Sequence, residues 1–352
     1  MSSLLVTGFP GFIGTRLVRR LLADAPGARV VALVEPRMAE RARECAAGLP
    51  GGERVTVQPG DITDPLLGVD DATYERLVAE TTEIHHLAAI YDLAVPDAIA
   101  ERVNVGGTQH VLDLARRAQR LERHHYVSTA YVAGWRSGRI YESELAAGQT
   151  FKNHYESTKF AAEVLVRNTL AEIPTTVYRP AIVVGDSRTG ETQKFDGPYY
   201  LLRTISRLHG RPLPQIGSGD APFNVVPVDF VVDAIAAGRG DAEVTGQTLH
   251  LVDPEPMSSA QLMRLLAREY AGREPSYRIP PGMVEQALRL KPVRSLLGGT
   301  PRQSIVYLNH PVSFDTTNAD ALRRRAGLQA PVFGDYVANI VRFFRENERA
   351  IR

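Results

Sequence analysis

Tyr155 and Lys159 stand one helical turn apart in the run Tyr155-Glu156-Ser157-Thr158-Lys159. On a helix that spacing puts both side chains on one face, so an ammonium can lie beside a phenol. A neighbouring positive charge favours the tyrosinate and draws a pKa of about 10 towards neutrality, which makes Tyr155 a usable acid or base. A second chemical signal opens the chain, where Val6-Thr7-Gly8-Phe9-Pro10-Gly11-Phe12-Ile13-Gly14 puts three glycines between a strand-like run and the amphipathic stretch Thr15 to Leu22. Such a turn lets backbone amides approach a pyrophosphate at a helix N-terminus, so a dinucleotide is expected there.

These residues need a scaffold, and the pattern supplies one. Up to residue 185, β-branched runs at Leu4-Thr7, Val30-Val34, Val55-Pro59, Glu83-Leu87, His124-Ser128 and Thr175-Arg179 alternate with amphipathic stretches starting near Gly11, Ala39, Thr73, Ala98 and Tyr155. That alternation predicts an α/β fold, a doubly wound parallel sheet of the Rossmann type. After Gly185 the regularity fades, which predicts a smaller C-terminal substrate-binding subdomain. The expected division is 1–185 for cofactor and catalysis and 186–352 for substrate, with part of the sheet edge returning from 222–254.

The 352 residues carry 41 Lys and Arg against 40 Asp and Glu, so no global field attracts nucleic acid. The single cysteine, Cys45, excludes an internal disulfide and fits a reducing, cytoplasmic setting. The first strand begins too early for a secretion signal, and no apolar run reaches the roughly 18 residues of a membrane span. His85-His86 and His124-His125 are adjacent pairs that point to opposite faces of a strand, so no metal site is expected.

The spacing Gly-x-x-Gly-x-x-Gly after Thr7 resembles the fingerprint of short-chain dehydrogenases, and Tyr-x-x-x-Lys agrees. Asn104-Val105-Gly106-Gly107-Thr108 resembles a motif of the extended branch of that superfamily. The likeness implies cofactor contacts from Thr7, Gly8, Pro10, Gly11, Phe12, Ile13 and Gly14, and from Asp61 and Ile62 beside the adenine. It adds Leu87, Ala88 and Ala89 after the fourth strand, then Asn104 and Lys159. Pro180, Ala181, Ile182 and Val183 complete the set at the nicotinamide carboxamide. The run Ser128-Thr129-Ala130-Tyr131 resembles the hydroxyl-bearing catalytic loop, with Thr129 the first choice to hold the substrate oxygen and Ser128 the reserve.

Further segments, including Gly185-Asp186-Ser187-Arg188, Asp196-Gly197-Pro198-Tyr199-Tyr200 and Asn224-Val225-Val226-Pro227, resemble the male-sterility type: fatty acyl-CoA reductases and thioester reductase domains. This implies NAD(P)H-dependent reduction of a long-chain acyl thioester or fatty aldehyde, with Tyr155 as proton donor. It also implies a homodimer through two helices on the flank of the sheet. Glu35 at the end of the second strand suits a free 2′-hydroxyl, whereas Arg37 suits a 2′-phosphate; family habit favours NADPH over NADH.

Tyr91 and Asp92 follow the fourth strand, where ligands of such sheets gather, and are expected to touch substrate with Tyr131. Tyr199, Tyr200 and Phe223 line an acyl channel or, equally, fill the subdomain core. Pro281 to Leu297 is amphipathic and basic, either packed on the subdomain or laid on a membrane surface as a peripheral contact. The competing readings are another extended-type carbonyl reductase, a sugar-nucleotide epimerase, and a cofactor sensor without turnover; the last would have no use for Thr129, Tyr155 and Lys159 together.

Overall fold

Runs such as Leu4-Leu5-Val6, with no exposure at all, are apolar on both faces because helices cover both sides of a parallel sheet. In the computed structural model, which describes residues 2–92, 95–208, 210–287, 289–290 and 306–350, the elements follow the expected alternation. β1 (Ser3–Thr7), α1 (Phe12–Asp24), β2 (Arg29–Val34), α2 (Ala39–Ala47), β3 (Val55–Pro59), α3 (Asp71–Glu80) and β4 (Glu83–His86) form the first half. α4 (Asp97–Glu101) runs through a π-turn at Arg102–Gly106 into α5 (Gly107–Arg117), then β5 (Arg123–Val127), β6 (Gly138–Ile140), α6 (His154–Arg167), β7 (Thr175–Pro180) and β8 (Ile182–Val184). The second half brings α7 (Tyr199–Arg207), β9 (Pro214–Ile216), β10 (Val225–Pro227), α8 (Val228–Gly240), β11 (Thr248–Leu251), α9 (Ser259–Ala271), β12 (Tyr277–Ile279) and α10 (Pro281–Ala287). β13 (Val312–Phe314), α11 (Thr317–Ala326) and α12 (Phe333–Asn347) close the chain.

The main sheet has seven strands in the order β11-β7-β5-β4-β1-β2-β3, all parallel. The order reverses between β1 and β4, the switch point where ligands of doubly wound sheets bind. α1 shows Leu17, Val18, Leu21 and Leu22 to one face of the sheet, the helical spacing of a buried stripe, and α8 joins it there through Val228, Val231, Val232 and Ile235. α3, α5 and α6 cover the other face through Leu77, Leu112 and Val166.

A separate core gathers Phe195, Leu202, Leu213, Leu262, Leu266, Phe333, Ile340 and Phe344 from three stretches of the second half. Because α8 and β11 belong to the main layers, residue 185 divides the sequence and not the space. Of the basic segment Pro281 to Leu297, α10 is described: Val284 is buried while Met283 stands exposed. Leu288 and residues 291–297 lie outside the described residues. Among the described residues no helix is long and apolar enough to cross a membrane.

Candidate active site

The glycine turn is built for close approach. Gly8 has φ +87°, a left-handed backbone, and a Cβ there would stand 2.9 Å from the Ala88 amide nitrogen. A Cβ on Gly14 would lie 2.4 Å from the Gly8 carbonyl oxygen, so the turn folds only with hydrogen at both places. Gly11 N-caps α1 without any side-chain cap, which leaves the first-turn amides unpaired and aimed at the cleft. An uncapped helix start behind a side-chain-free cradle is what a pyrophosphate requires, so these residues fit a dinucleotide.

One cleft of about 1600 Å³ runs from this turn to the second core. Gly8, Pro10, Gly11, Phe12, Ile13 and Gly14 line it, as do Glu35, Arg37, Asp61 and Ile62. Leu87, Ala88 and Ala89 line it too, with Pro180, Ala181, Ile182 and Val183. Thr129, Tyr131, Tyr155 and Lys159 follow, then Tyr91, Asp92, Tyr200 and Phe223 towards the far wall.

α6 positions the reactive pair. The Asn153 side chain accepts from the Glu156 amide at 3.0 Å and fixes where the helix begins, so Tyr155 enters the first turn and Lys159 the next. Thr129, two residues past the end of β5, lines the same cleft as Tyr155, and its hydroxyl donates to the Pro180 carbonyl at 3.4 Å. Lys159 lines the cleft with Tyr155, and its Nζ donates to the Tyr126 hydroxyl at 3.0 Å and to the Val127 carbonyl at 2.8 Å.

The expected fall in the Tyr155 pKa is therefore not found. Burial pushes it up to about 12, and the neighbouring Thr129 hydroxyl only partly offsets this. Lys159 moves the other way, lowered to about 7 by burial against the attraction of Glu163. Tyr155 thus keeps its proton at neutral pH, the state a proton donor needs.

Four other expectations are corrected. Thr7 is buried behind the turn, where its hydroxyl oxygen accepts from the Leu87 and Ala88 amides at 3.2 and 3.1 Å; it shapes the cradle and does not line it. Asn104 is likewise buried, clamping Ile90 by accepting from its amide at 2.8 Å and donating to its carbonyl at 2.9 Å. The Ser128 hydroxyl donates to Glu163 at 2.6 Å, so its proton is committed away from the cleft. Tyr199 is core: 1% exposed, stacked among Phe195 and Phe344, its hydroxyl accepting from the Gly185 amide at 3.0 Å. Its neighbour Tyr200 lines the cleft and donates to Asp196 at 2.9 Å.

Sequence reasoning missed several parts of the wall. Tyr307, far along the chain, donates to Glu156 at 2.6 Å and packs edge-on against Tyr131 at 5.0 Å. Lys194 sits 4.8 Å over the Tyr91 ring, and Arg41 lines the cleft with Arg37. Asn153 carried a usable signal, since Asn-x-x-Glu before a helical run marks an N-cap; the others carried none.

The histidine pairs do point to opposite faces within each strand, but the register sets His85 beside His125 across β4 and β5. With Glu83 they bring three ligand-type groups together. Their rings stack at 4.5 Å with planes 11° apart, so the lone pairs run side by side rather than converging. Glu83 is already held by two 2.7 Å hydrogen bonds from Arg239.

The male sterility protein family matches residues 6–235. A hybrid polyketide and nonribosomal peptide synthetase from an Acremonium species is 32% identical over 70% of this chain, which spans 6% of that synthetase. The solved terminal R domain from the myxalamid pathway is 26% identical with a TM-score of 0.83, covering 99% of this chain and 91% of that one. The reductase domain of a nonribosomal peptide synthetase from Mycobacterium tuberculosis shares the fold at 24% identity and a TM-score of 0.73, covering 98% and 92%. With the glycine cradle and the Thr129, Tyr155 and Lys159 group in one cleft, the chain belongs to the male sterility protein family, NAD(P)-dependent reductases of the extended short-chain dehydrogenase type.

Proposed function

We propose that the chain reduces an apolar acyl thioester, of the long-chain fatty type, to the aldehyde, with NADPH preferred to NADH. One observation carries the reading: the Thr129 and Tyr155 hydroxyls stand in a single cleft between the glycine cradle and an apolar wall that includes Leu201, Ile216, Met263, Ile279 and Leu308. The bound reduced nicotinamide supplies the hydride. Thr129 and Tyr155 hold the thioester oxygen, and Tyr155 passes its proton to that oxygen as negative charge develops. The hemithioacetal so formed collapses to aldehyde and thiol. Lys159 holds ribose hydroxyls, and the apolar wall orients the acyl chain and keeps water from the reacting carbon. In this reading residues 1–185 bind cofactor and do the chemistry, while 186–352 recognise the acyl group.

At the adenosine end Glu35 is engaged by Arg37 at 2.6 Å, and Arg41 stands beside them. Arg37 and Arg41 offer two guanidiniums to a 2′-phosphate, with Glu35 and Asp61 lining the same cleft, and the planar donor forks support NADPH. The test is oxidation of NADPH and NADH, assayed separately with a long-chain acyl-CoA, the matching aldehyde and a ketosteroid, beside Tyr155→Phe. Turnover of the thioester that disappears in the variant supports the proposal. Turnover of the ketone alone would replace it with a carbonyl reductase.

A further inference from the structure

We propose that Tyr307 is a positioning residue for Tyr155: its hydroxyl clasps Asn153 and Glu156, on either side of the reactive tyrosine, while its ring forms part of the substrate wall. The proposal deepens the reading of Tyr155 as proton donor and rests on that reading for its purpose.

Hydrogen bonds close a ring at the start of α6. The Glu156 amide donates to Asn153 Oδ1 at 3.0 Å, Asn153 Nδ2 donates to the Tyr307 hydroxyl at 2.8 Å, and that hydroxyl donates to Glu156 Oε1 at 2.6 Å. The directions agree with one another. With its oxygen taken by the helix amide, the Asn153 side chain turns its NH₂ to Tyr307, and a hydroxyl that accepts there keeps its proton for the carboxylate. His154 and Tyr155 are the residues enclosed between Asn153 and Glu156, so the backbone of Tyr155 is held from both sides.

The carboxylate at the centre of the clasp is itself fixed. Glu156 Oε2 accepts from the Lys152 amide at 3.0 Å, and the Lys152 ammonium lies 3.5 Å from Oε1. That ammonium also donates to the Gly134 carbonyl, in the loop that follows Thr129, and stands 5.4 Å from the centre of the Tyr307 ring. The Lys152 and Glu156 side chains are at most 1% exposed, so a carboxylate that loses the Tyr307 donor finds no solvent to replace it. Asn153, Tyr155 and Tyr307 all line the cleft, and the Tyr307 ring meets Tyr131 edge-on at 5.0 Å. One side chain from late in the sequence therefore serves both the wall that an acyl group meets and the turn that aims the proton donor. The body of α6 is anchored separately, through Ala162 and Val166 in the core that covers the sheet, so loss of the hydroxyl loosens the first turn and not the helix.

Tyr307→Phe keeps the ring against Tyr131 and removes the hydroxyl. It is expected to lower kcat for the acyl thioester about ten- to hundredfold, because a small misplacement of a reacting group is costly, and to leave the KM values for thioester and NADPH within about twofold. Asn153→Ser still caps the Glu156 amide but is too short to reach Tyr307, and should reproduce the loss. Both changes open the same ring, so the double variant should fall no further than Tyr307→Phe alone. Amide exchange followed by mass spectrometry reads the clasp without turnover: the peptide carrying residues 154–158 should exchange faster in Tyr307→Phe, and that of β5 at the parent's rate. An unmoved kcat, a change in KM alone, or unmoved exchange at 154–158 would overturn the proposal, and Asn153→Ser decides if Tyr307→Phe does not fold. An inactive parent whose 154–158 amides exchange faster in the variant sinks the reductase reading and leaves the clasp standing, whereas an active parent with an unmoved kcat does the reverse.

Discussion

Replacing Glu163 with glutamine keeps the volume and removes one buried charge. Glu163 is fully buried and accepts from Arg179 Nη2 at 2.7 Å, from Arg179 Nε at 3.1 Å, from Arg167 at 3.1 Å and from Ser128 at 2.6 Å. In Glu163→Gln the Arg179 guanidinium, itself 1% exposed, faces a neutral amide. Breaking a buried pair by removing one partner costs about 3 to 5 kcal/mol, a large share of a fold's stability of about 5 to 15 kcal/mol. In urea the midpoint should fall by about 1 to 2 M at an unchanged slope. Adding Arg179→Met should recover part of the loss, since the uncompensated charge goes with it.

The pH dependence has a definite sign. Burial alone raises the Glu163 pKa, but Arg179, Arg167 and Ser128 outweigh it and hold the group below its ordinary 4.5. Its stabilisation is therefore fully present above about 4.5 and lost as pH falls through the lower folded value. Parent and Glu163→Gln should converge in stability at the acid end. A glutamine variant that unfolds at the parent's urea midpoint at neutral pH would refute the account of this pair.

Three further outcomes test the site. Tyr155→Phe should lower NADPH-dependent turnover by about a hundred- to ten-thousand-fold with the fold intact by circular dichroism. Gly14→Ala, whose Cβ would meet the Gly8 carbonyl at 2.4 Å, should abolish cofactor binding in a fluorescence titration; binding within threefold of the parent would discount the cradle. Arg37→Ala should raise the KM for NADPH about five- to tenfold and leave that for NADH nearly unchanged, because an exposed guanidinium on a phosphate is worth about 1 kcal/mol.

The sheet was legible because its signals are local. The alternation of apolar runs and amphipathic stretches set β3 at Val55–Pro59 as read, and the others within a residue or two. Glycine spacing and Tyr-x-x-x-Lys are also local, so the cradle and the α6 pair were found. Direction was not legible: spacing puts Lys159 on the face of Tyr155 but says nothing of Tyr126, a strand residue that takes the ammonium. Nor does a motif separate a ligand contact from the residue behind it, which is why Thr7 and Asn104 were read as touching cofactor. Tyr199 and Tyr200 differ only in which side of α7 they occupy, and the fold of the second core decides that. Tyr307 reaches Glu156 across half the chain, a contact that only tertiary structure makes.

The interleaving of the two cores also fixes an order of assembly on the ribosome. The main sheet is incomplete until β11, ending at Leu251, has emerged, and the second core waits for Phe344 on α12. At about 5 to 20 residues per second, roughly 5 to 20 s separate the two events during synthesis. For that interval the nascent chain presents Phe195, Leu202 and Leu262 without their final cover, beside a sheet already closed. A chaperone acting on this protein during translation would meet that surface, and a stop codon placed before α12 would make the exposure permanent.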